Sequence, residues 1–196
     1  MKLIPDRPFD TESHAERKIF DVLRESFSGD NSIMALHSFN LTKHEKKRVG
    51  EADFLILSKF GLYVLEVKGG GISYENGSWF TKNSLGKFPL KEDPFKQANS
   101  AMFAIEKNVK SNPTFSKLRL PIGFGVVFPD CIWGGNQGAE WDRETIGDSK
   151  NVRNFERWLN GLFKYWQDKP NNGFVLDAVM LKDIKNYLRP NFELVV

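Results

Sequence analysis

Two runs of hydrophobic residues separated by a short polar turn predict a β-hairpin in the first half of the chain. The runs cover residues 53–57 and 62–67, and both are rich in the aliphatic, β-branched and aromatic residues typical of strands. Ser58-Lys59-Phe60-Gly61 lies between them, with serine first and glycine fourth, as a type I turn favours. We therefore predict an antiparallel hairpin in which Asp53 lies opposite Glu66.

Alternation of side chains along these strands places three charged groups on one face of the hairpin. Asp53, Glu66 and Lys68 share that face. Opposed residues have Cβ atoms about 5 Å apart, and like charges at that spacing destabilise a sheet. The two carboxylates therefore favour a shared cation. Mg²⁺ or Mn²⁺ suits them, because these hard ions bind carboxylate oxygens and retain several waters.

A plainer interpretation of the same residues is that Glu66 and Lys68 form a solvated pair and Asp53 only begins a strand. Against it, both faces of the hairpin are apolar near its turn. The face that carries the charges also carries Leu55, Leu57, Leu62 and Val64. A hairpin buried on both sides would place its charged end in a cleft.

A third carboxylate, Glu16, lies near the start of a predicted helix. Apolar residues recur there at three- and four-residue spacing, at Ile19, Phe20, Leu23 and Phe27. Glu16 falls at the centre of this stripe, so its acidic group is expected to meet a partner inside the protein. Ser13 and Glu16 also have the spacing of a capping box, in which the glutamate bonds back to the cap residue. Both roles remain open at this level.

The rest of the chain predicts a mixed sheet with flanking helices. Asn76-Gly77 is a strong hairpin signal between residues 72–75 and 78–80, and residues 122–128 form a buried strand. Helices are predicted from Asp93-Pro94 to about Ser111, over residues 152–166 and over residues 177–188. Gln97 lies in the first turn of the helix that begins at Asp93-Pro94, at the border of its apolar stripe. It either contacts a phosphate or a water at the site or is an ordinary solvated residue. The glycine-rich segment 133–138 is either a flap facing a substrate or a surface connection.

Length and composition predict one domain and exclude several classes of site. The 196 residues are 40% hydrophobic, which is enough for a single core. No apolar run reaches eighteen residues and the N-terminus lacks a signal-peptide stretch, so we expect no membrane association and a cytoplasmic location. The single cysteine, Cys131, cannot form an internal disulfide or a thiolate zinc site. The three histidines lack ligand spacing, and no phosphate-binding glycine loop is present.

A basic run lies a few residues before Asp53. The net charge is only +3, so local clusters matter more than the whole molecule for binding nucleic acid. Within residues 43–48, Lys46, Lys47 and Arg48 are either part of a solvated turn or a grip on phosphates beside the predicted site.

An ordered set of segments resembles the nuclease-related domain (NERD) family, a branch of the PD-(D/E)XK nuclease superfamily. The resemblance covers roughly the first 130 residues. It rests on Glu16, the segment 50–54 (GEADF), the segment 61–69 (GLYVLEVKG), the segment 77–80 (GSWF) and Gln97. The acidic-x-lysine signature alone is weak, but the nine-residue segment after an acidic strand start is far more specific.

The resemblance implies a restriction-endonuclease-like α/β fold and a nuclease site. It implies Asp53 and Glu66 as metal ligands, together with the backbone carbonyl of Val67, and Lys68 as the group beside the attacking water. Glu16 and Gln97 would support them, and Mg²⁺ or Mn²⁺ would be the cofactor. The expected reaction is hydrolysis of phosphodiesters in DNA, with RNA as the alternative. The expected domain spans residues 1–196, with a NERD-like core at about 10–130 and a helical extension at about 150–190.

Two rival functions remain at the level of the sequence. One is a catalytically silent nucleic-acid-binding module of the same fold, which the intact acidic set disfavours. The other is a module that recruits a motor, since domains resembling this one often begin longer proteins that include a helicase. Residues 188–196 follow the last predicted helix and contain no evident polar tail. We interpret this segment as a linker to a further domain. A helicase, in the same polypeptide or in trans, is therefore a possible partner.

Overall fold

The computed structural model describes residues 1–9, 11, 13–41, 51–134, 141–170 and 172–191. The strands are β1 (Lys2–Ile4), β2 (Met34–Asn40), β3 (Glu51–Ser58), β4 (Gly61–Val67), β5 (Gly71–Glu75), β6 (Ser78–Asn83), β7 (Gly86–Pro89), β8 (Ile122–Phe128) and β9 (Ile146–Asp148). The helices are α1 (His14–Glu25), α2 (Pro94–Ser111), α3 (Ser149–Val152), α4 (Phe155–Gln167) and α5 (Ala178–Leu188), with a 3₁₀ turn at Arg143–Thr145.

A six-stranded mixed sheet forms the centre of the molecule, in the order β1-β2-β3-β4-β8-β9. Strands β2, β3 and β4 pair antiparallel, whereas β1 with β2, β4 with β8, and β8 with β9 pair parallel. Helices cover both faces. The predicted α/β class, a mixed sheet flanked by helices as in restriction endonucleases, is confirmed.

Alternation along β3 and β4 divides the core into two layers. Leu55, Leu57, Leu62 and Val64 pack with the buried residues of α2 and α5. Phe54, Ile56, Tyr63 and Leu65 pack on the other face with those of α1 and α4. The hairpin is therefore buried on both sides near its turn, as its sequence indicated.

The central hairpin closes as predicted. Ser58 pairs with Gly61, so Lys59 and Phe60 form a two-residue loop, which we call the closed end of the hairpin. Gly61 has φ +131°, and a Cβ there would lie 2.3 Å from the carbonyl oxygen of Pro121, so only glycine fits. The register continues to Phe54 opposite Leu65. Continued by one residue, this register would set Asp53 against Glu66, at what we call the open end.

A second, three-stranded sheet of β5, β6 and β7 follows the open end. Asn76 and Gly77 join β5 to β6 with positive φ values of 51° and 80°, as the predicted tight turn requires. The hydroxyl of Thr81 donates to the carbonyl of Gly69 at 2.8 Å, which ties this sheet to the chain just after Lys68.

Some predicted boundaries are wrong. Helix α1 ends at Glu25, and Phe27 lies beyond it with φ 52°, so it is not on the helical stripe. The helix predicted over 152–166 is divided into α3 and α4, because the side chain of Asn154 caps a new helix by accepting from the Arg157 N–H at 3.3 Å. Strands β1, β2, β7 and β9 have no counterpart among the predicted elements. None of the described helices is long and apolar enough to span a bilayer.

Candidate active site

Asp53 and Glu66 meet at the open end of the central hairpin. Glu66 is completely buried, with 0% of its surface exposed, and Asp53 is partly buried. Asp53 Oδ2 accepts the backbone N–H of Val67 at 2.7 Å, so this carboxylate lies against the peptide that follows Glu66. The hairpin register alone accounts for this pairing, because β3 enters the loop and β4 leaves it in step.

Lys68 contacts one oxygen of the Glu66 carboxylate, and no described residue donates a hydrogen bond to the other. The Lys68 ammonium donates to Glu66 Oε1 at 2.5 Å, and its side chain is 24% exposed. Glu66 Oε2 is buried and has no hydrogen-bond partner among the described residues. A buried carboxylate oxygen without a donor is costly, so this oxygen is available to a cation or to a donor that the chain itself does not provide.

Burial changes the acidity of both carboxyl groups. Burial raises the pKa of Glu66 to about 7, although the nearby Lys68 ammonium acts in the opposite direction. Burial, then the negative charges of Glu66 and Glu16, raise the pKa of Asp53 well above its ordinary value. Burial acts to lower the pKa of Lys68, but the Glu66 carboxylate outweighs it, so the net shift is upward. Both carboxyl groups are therefore more easily protonated than ordinary ones, and a nearby cation would favour their ionised forms.

Glu16 makes only half of the predicted capping box. Ser13 Oγ accepts the Glu16 N–H at 3.2 Å, but the Ser13 N–H donates to Thr11 Oγ1 at 3.1 Å. The Glu16 carboxylate instead lies 3.6 Å from Nε2 of His37. Burial acts to raise the pKa of Glu16, but its polar contacts, with His37 first among them, hold it below its ordinary value. The carboxylate thus faces the interior, where its charge acts on Asp53.

His37 is a buried residue that the sequence did not single out. Its Nδ1 accepts the Phe9 N–H at 3.3 Å, which assigns the proton of a neutral ring to Nε2, on the side of Glu16. The ring packs against Phe9, Phe20 and Phe54. The apolar residues Met34, Ala35, Leu36 and Phe39 could have indicated a strand, but no local pattern connects His37 to a helix twenty residues earlier.

Asp130 fixes the chain that follows Lys68, and it too escaped prediction. Its carboxylate accepts the Gly70 N–H at 3.0 Å and the Lys18 ammonium at 3.0 Å. A Cβ on Gly69 would approach that of Ala15 to 2.8 Å, so this segment packs tightly against the start of α1. The end of β8, the first turns of α1 and the segment carrying Lys68 are therefore held together.

Gln97 lies in the first turn of α2 and is partly buried. Asp93 caps this turn by accepting the N–H groups of Phe95 and Lys96 at 2.9 and 3.2 Å, as predicted. The hydrogen bonds of the described residues include none from the Gln97 side chain, and its role stays a prediction. Lys46, Lys47 and Arg48 lie outside the described residues, as do residues 135–138 of the predicted flap.

Comparison with known proteins places most of this chain in one protein family. The model of the nuclease-related domain matches residues 11–129, which is more than half of the chain. That range contains Glu16, Asp53, Glu66, Lys68 and Gln97. No curated protein and no solved structure matches the chain.

Proposed function

Because this chain belongs to the nuclease-related domain family, we propose that it is a metal-dependent nuclease that hydrolyses phosphodiester bonds of DNA. The observation that carries the proposal is Glu66, a wholly buried carboxylate with one oxygen on Lys68 and the other without a partner among the described residues. A second carboxylate, Asp53, lies beside it, and burial and mutual repulsion raise its pKa. Such a pair favours a cation over water.

The donors present fit Mg²⁺ or Mn²⁺. Asp53, Glu66 and the carbonyl of Val67 would hold the ion, since both metals prefer carboxylate and carbonyl oxygens and keep several waters. Within the described residues, no three histidine, cysteine or acidic side chains form a group that could hold an ion. Backbone oxygen and water would therefore complete the coordination. A bound ion would act as a Lewis acid and generate hydroxide at neutral pH.

The chain's own residues would bind and orient the reacting groups. Lys68 keeps its proton at neutral pH, because the Glu66 carboxylate raises its pKa. Its ammonium can therefore donate to an attacking water or to a non-bridging phosphate oxygen. Asp130 holds the backbone at Gly70, two residues after Lys68, and so limits where this ammonium can reach. Glu16, whose carboxylate lies 3.6 Å from Nε2 of His37, adds negative charge that favours cation binding at Asp53.

The test is cleavage of linear, circular and single-stranded DNA, and of RNA, with Mg²⁺, with Mn²⁺ or with chelator. Wild type is expected to cleave DNA only with a divalent ion, and Glu66→Gln and Lys68→Ala to be inactive. Glu75→Gln is the matched control, because its carboxylate also pairs with a lysine, Lys87, but on an exposed strand. Hydrolysis in excess chelator would overturn the metal mechanism. Binding without cleavage under every ion would favour the catalytically silent module.

A further inference from the structure

A groove of about 880 Å³ lies at the closed end of the central hairpin, away from the candidate active site. Its positive charges come from Lys2, Lys59, Lys182 and Lys185. The other polar residues that line it are asparagines and a serine, and no acidic residue is among the described residues that line it. The groove is therefore an electropositive concavity with uncharged hydrogen-bonding groups between its lysines.

Separate parts of the chain bring these lysines together. Lys59 is in the loop of the hairpin, and its carbonyl accepts the Leu176 N–H at 2.7 Å, which holds the segment leading into α5. Lys182 and Lys185 are three residues apart on α5 and so project from neighbouring positions of one helical face. Lys2 lies in β1, paired with Met34 of β2. The grouping is a product of the tertiary fold rather than of a basic run.

The described structure does not neutralise this charge. None of the four lysines forms an ion pair with a described residue. The carboxylate of Asp30 already accepts the N–H and hydroxyl of Ser32 at 2.8 and 2.6 Å. These hydrogen bonds, and to a smaller extent the charge of Lys59, hold the pKa of Asp30 below its ordinary value. Asp177 caps α5 by accepting the Met180 N–H. Four like charges around one groove repel each other, so an anion bound there is stabilised.

The groove has apolar residues as well as charge. Leu176 and Leu181 are buried beneath it, at 3% and 4% exposure, and Met34 is partly buried beside them. Apolar surface bordered by cations suits a ligand that alternates phosphates with sugars and bases, and such a ligand offers one negative charge per nucleotide. We propose that this groove binds the sugar-phosphate backbone of a nucleic acid, as a second contact for the substrate of the proposed nuclease. The choice of nucleic acid over another polyanion rests on the proposed function.

The hairpin sets the spacing between groove and site. Lys59 is six residues beyond Asp53 along β3, and a strand rises about 3.3 Å per residue, so the two ends are separated by about 20 Å. Nucleic acid covers that distance in about six nucleotides at 3.4 Å each. A stacked strand shorter than this does not reach both places, whereas a longer one does.

The test uses Lys59→Glu/Lys182→Glu, compared with Lys107→Glu/Lys117→Glu. Both double variants change the net charge equally, and all four lysines are exposed, but Lys107 and Lys117 do not line the groove. Binding is measured by anisotropy with a labelled 20-nucleotide strand and a 20-base-pair duplex, in a Glu66→Gln background that prevents cleavage. We expect the groove variant to bind about tenfold more weakly and to lose about 0.7 to 0.9 of log-log salt slope per contact, while the control changes little. Thermal melts verify that both variants are folded.

The outcomes separate this inference from the proposed function. Equal weakening of nucleic-acid binding in the groove and control variants would overturn the groove proposal. Displacement of the labelled strand by free pyrophosphate at the same phosphate concentration would also overturn it, because the groove would then be a site for a small ligand. If wild type cleaves DNA and the groove variant binds it as strongly as the control variant does, the nuclease proposal stands and the groove proposal is rejected. If the protein never cleaves but the groove variant loses binding, the groove proposal stands and the nuclease proposal is rejected. In an active background, cleavage of four-nucleotide strands is expected not to respond to the groove substitutions, whereas cleavage of 20-nucleotide strands is expected to fall.

Discussion

Glu66 is the residue whose environment differs most from what its chemistry prefers. It is completely buried, and burial raises its pKa to about 7, so keeping it ionised above that pH opposes folding. Lys68 relieves this cost on one oxygen only. A residue kept at such a cost is typical of a site that binds a cation, and the cost is measurable in the protein without metal.

We expect Glu66→Gln to raise the melting temperature of the metal-free protein at pH 8 while abolishing cleavage. The amide keeps the shape but removes a charge whose burial costs roughly 3 kcal/mol at a pKa shift from 4.5 to about 7. Part of that gain is lost because Lys68 no longer has an anionic partner. Asp53→Asn is expected to act in the same direction.

Added metal is expected to reverse the order of the melting temperatures of wild type and Glu66→Gln. A ligand that binds only the folded state stabilises it logarithmically with concentration, so Mg²⁺ or Mn²⁺ is expected to stabilise wild type and Glu75→Gln, and Glu66→Gln less. Thermal melts with chelator and with millimolar ion make the comparison. Destabilised Glu66→Gln and Asp53→Asn proteins in chelator, together with a wild type that does not respond to either ion, would leave the shared-ion site without support.

The same carboxyl group predicts a pH dependence of stability in chelator. The pKa of Glu66 is about 7 in the folded protein and near 4.5 when unfolded, so between these values the folded state binds more protons. Its contribution to the free energy of unfolding is thus complete below about pH 4.5 and is lost as the pH rises through about 7. Urea titrations measure the free energy of unfolding of wild type and of Glu66→Gln. The value for wild type minus the value for Glu66→Gln is expected to be larger at pH 5 than at pH 8. A difference between the two proteins that does not vary with pH would contradict the burial of this charge.

At the scale of elements, Arg189 holds strand β2 from outside the sheet. Its guanidinium donates to the carbonyls of Ile4 at 2.7 Å, of His37 at 3.1 Å and of Ser38 at 3.2 Å. Ser38 has φ 47°, an uncommon conformation for serine, and lies between the pairs that β2 makes on either side of Asp53. Arg189 therefore supports the strand that carries His37, the contact of Glu16. It lies beyond the residues that match the family model.

We expect Arg189→Lys to lower the free energy of unfolding by about 1 to 3 kcal/mol, because an ammonium cannot reproduce the planar fork and leaves some of these partly buried carbonyls without a donor. Arg153→Lys is the matched control, since Arg153 is exposed and outside these contacts. Urea denaturation of both variants provides the measurement. Equal, small changes would mean that the fork adds nothing to the stability of β2.

At the scale of the whole molecule, a net charge of +3 supplies little general attraction for nucleic acid. Binding must then depend on where the lysines and arginines are grouped. The groove at the closed end is one such group, and residues 43–48, close in sequence to the open end, are another. If both groups bind phosphates, the substrate has one contact at the closed end and another through residues 43–48.

Replacing Lys46, Lys47 and Arg48 by alanine is expected to weaken DNA binding similarly for all sequences. Contacts to phosphates carry no base information, and each lost contact reduces the log-log salt slope by up to about 0.9 on duplex DNA. Anisotropy titrations over a range of salt, on two unrelated duplexes, test this expectation. An unchanged salt slope would favour the alternative interpretation, that these residues belong to a solvated turn.

Local patterns in the chain are sufficient to predict the central hairpin and, with it, the grouping of Asp53, Glu66 and Lys68. The reason is locality, because these residues lie within one pair of strands joined by two residues, and a period of two together with Gly61 specifies both register and face. Asn76-Gly77, the Asp93 cap and β8 were predictable for the same reason. Each depends on a pattern that is complete within a few residues.

The distant groups that meet this hairpin could be identified only once the chain is folded. Glu16 at His37, Asp130 at Gly70 and Arg189 at β2 join residues separated by 21 to 152 positions, and no periodicity records such distances. The same holds for the pKa of Glu66, because burial depends on what packs over a strand and not on the strand itself. Side-chain chemistry is local, whereas desolvation and charge proximity are properties of the packed whole.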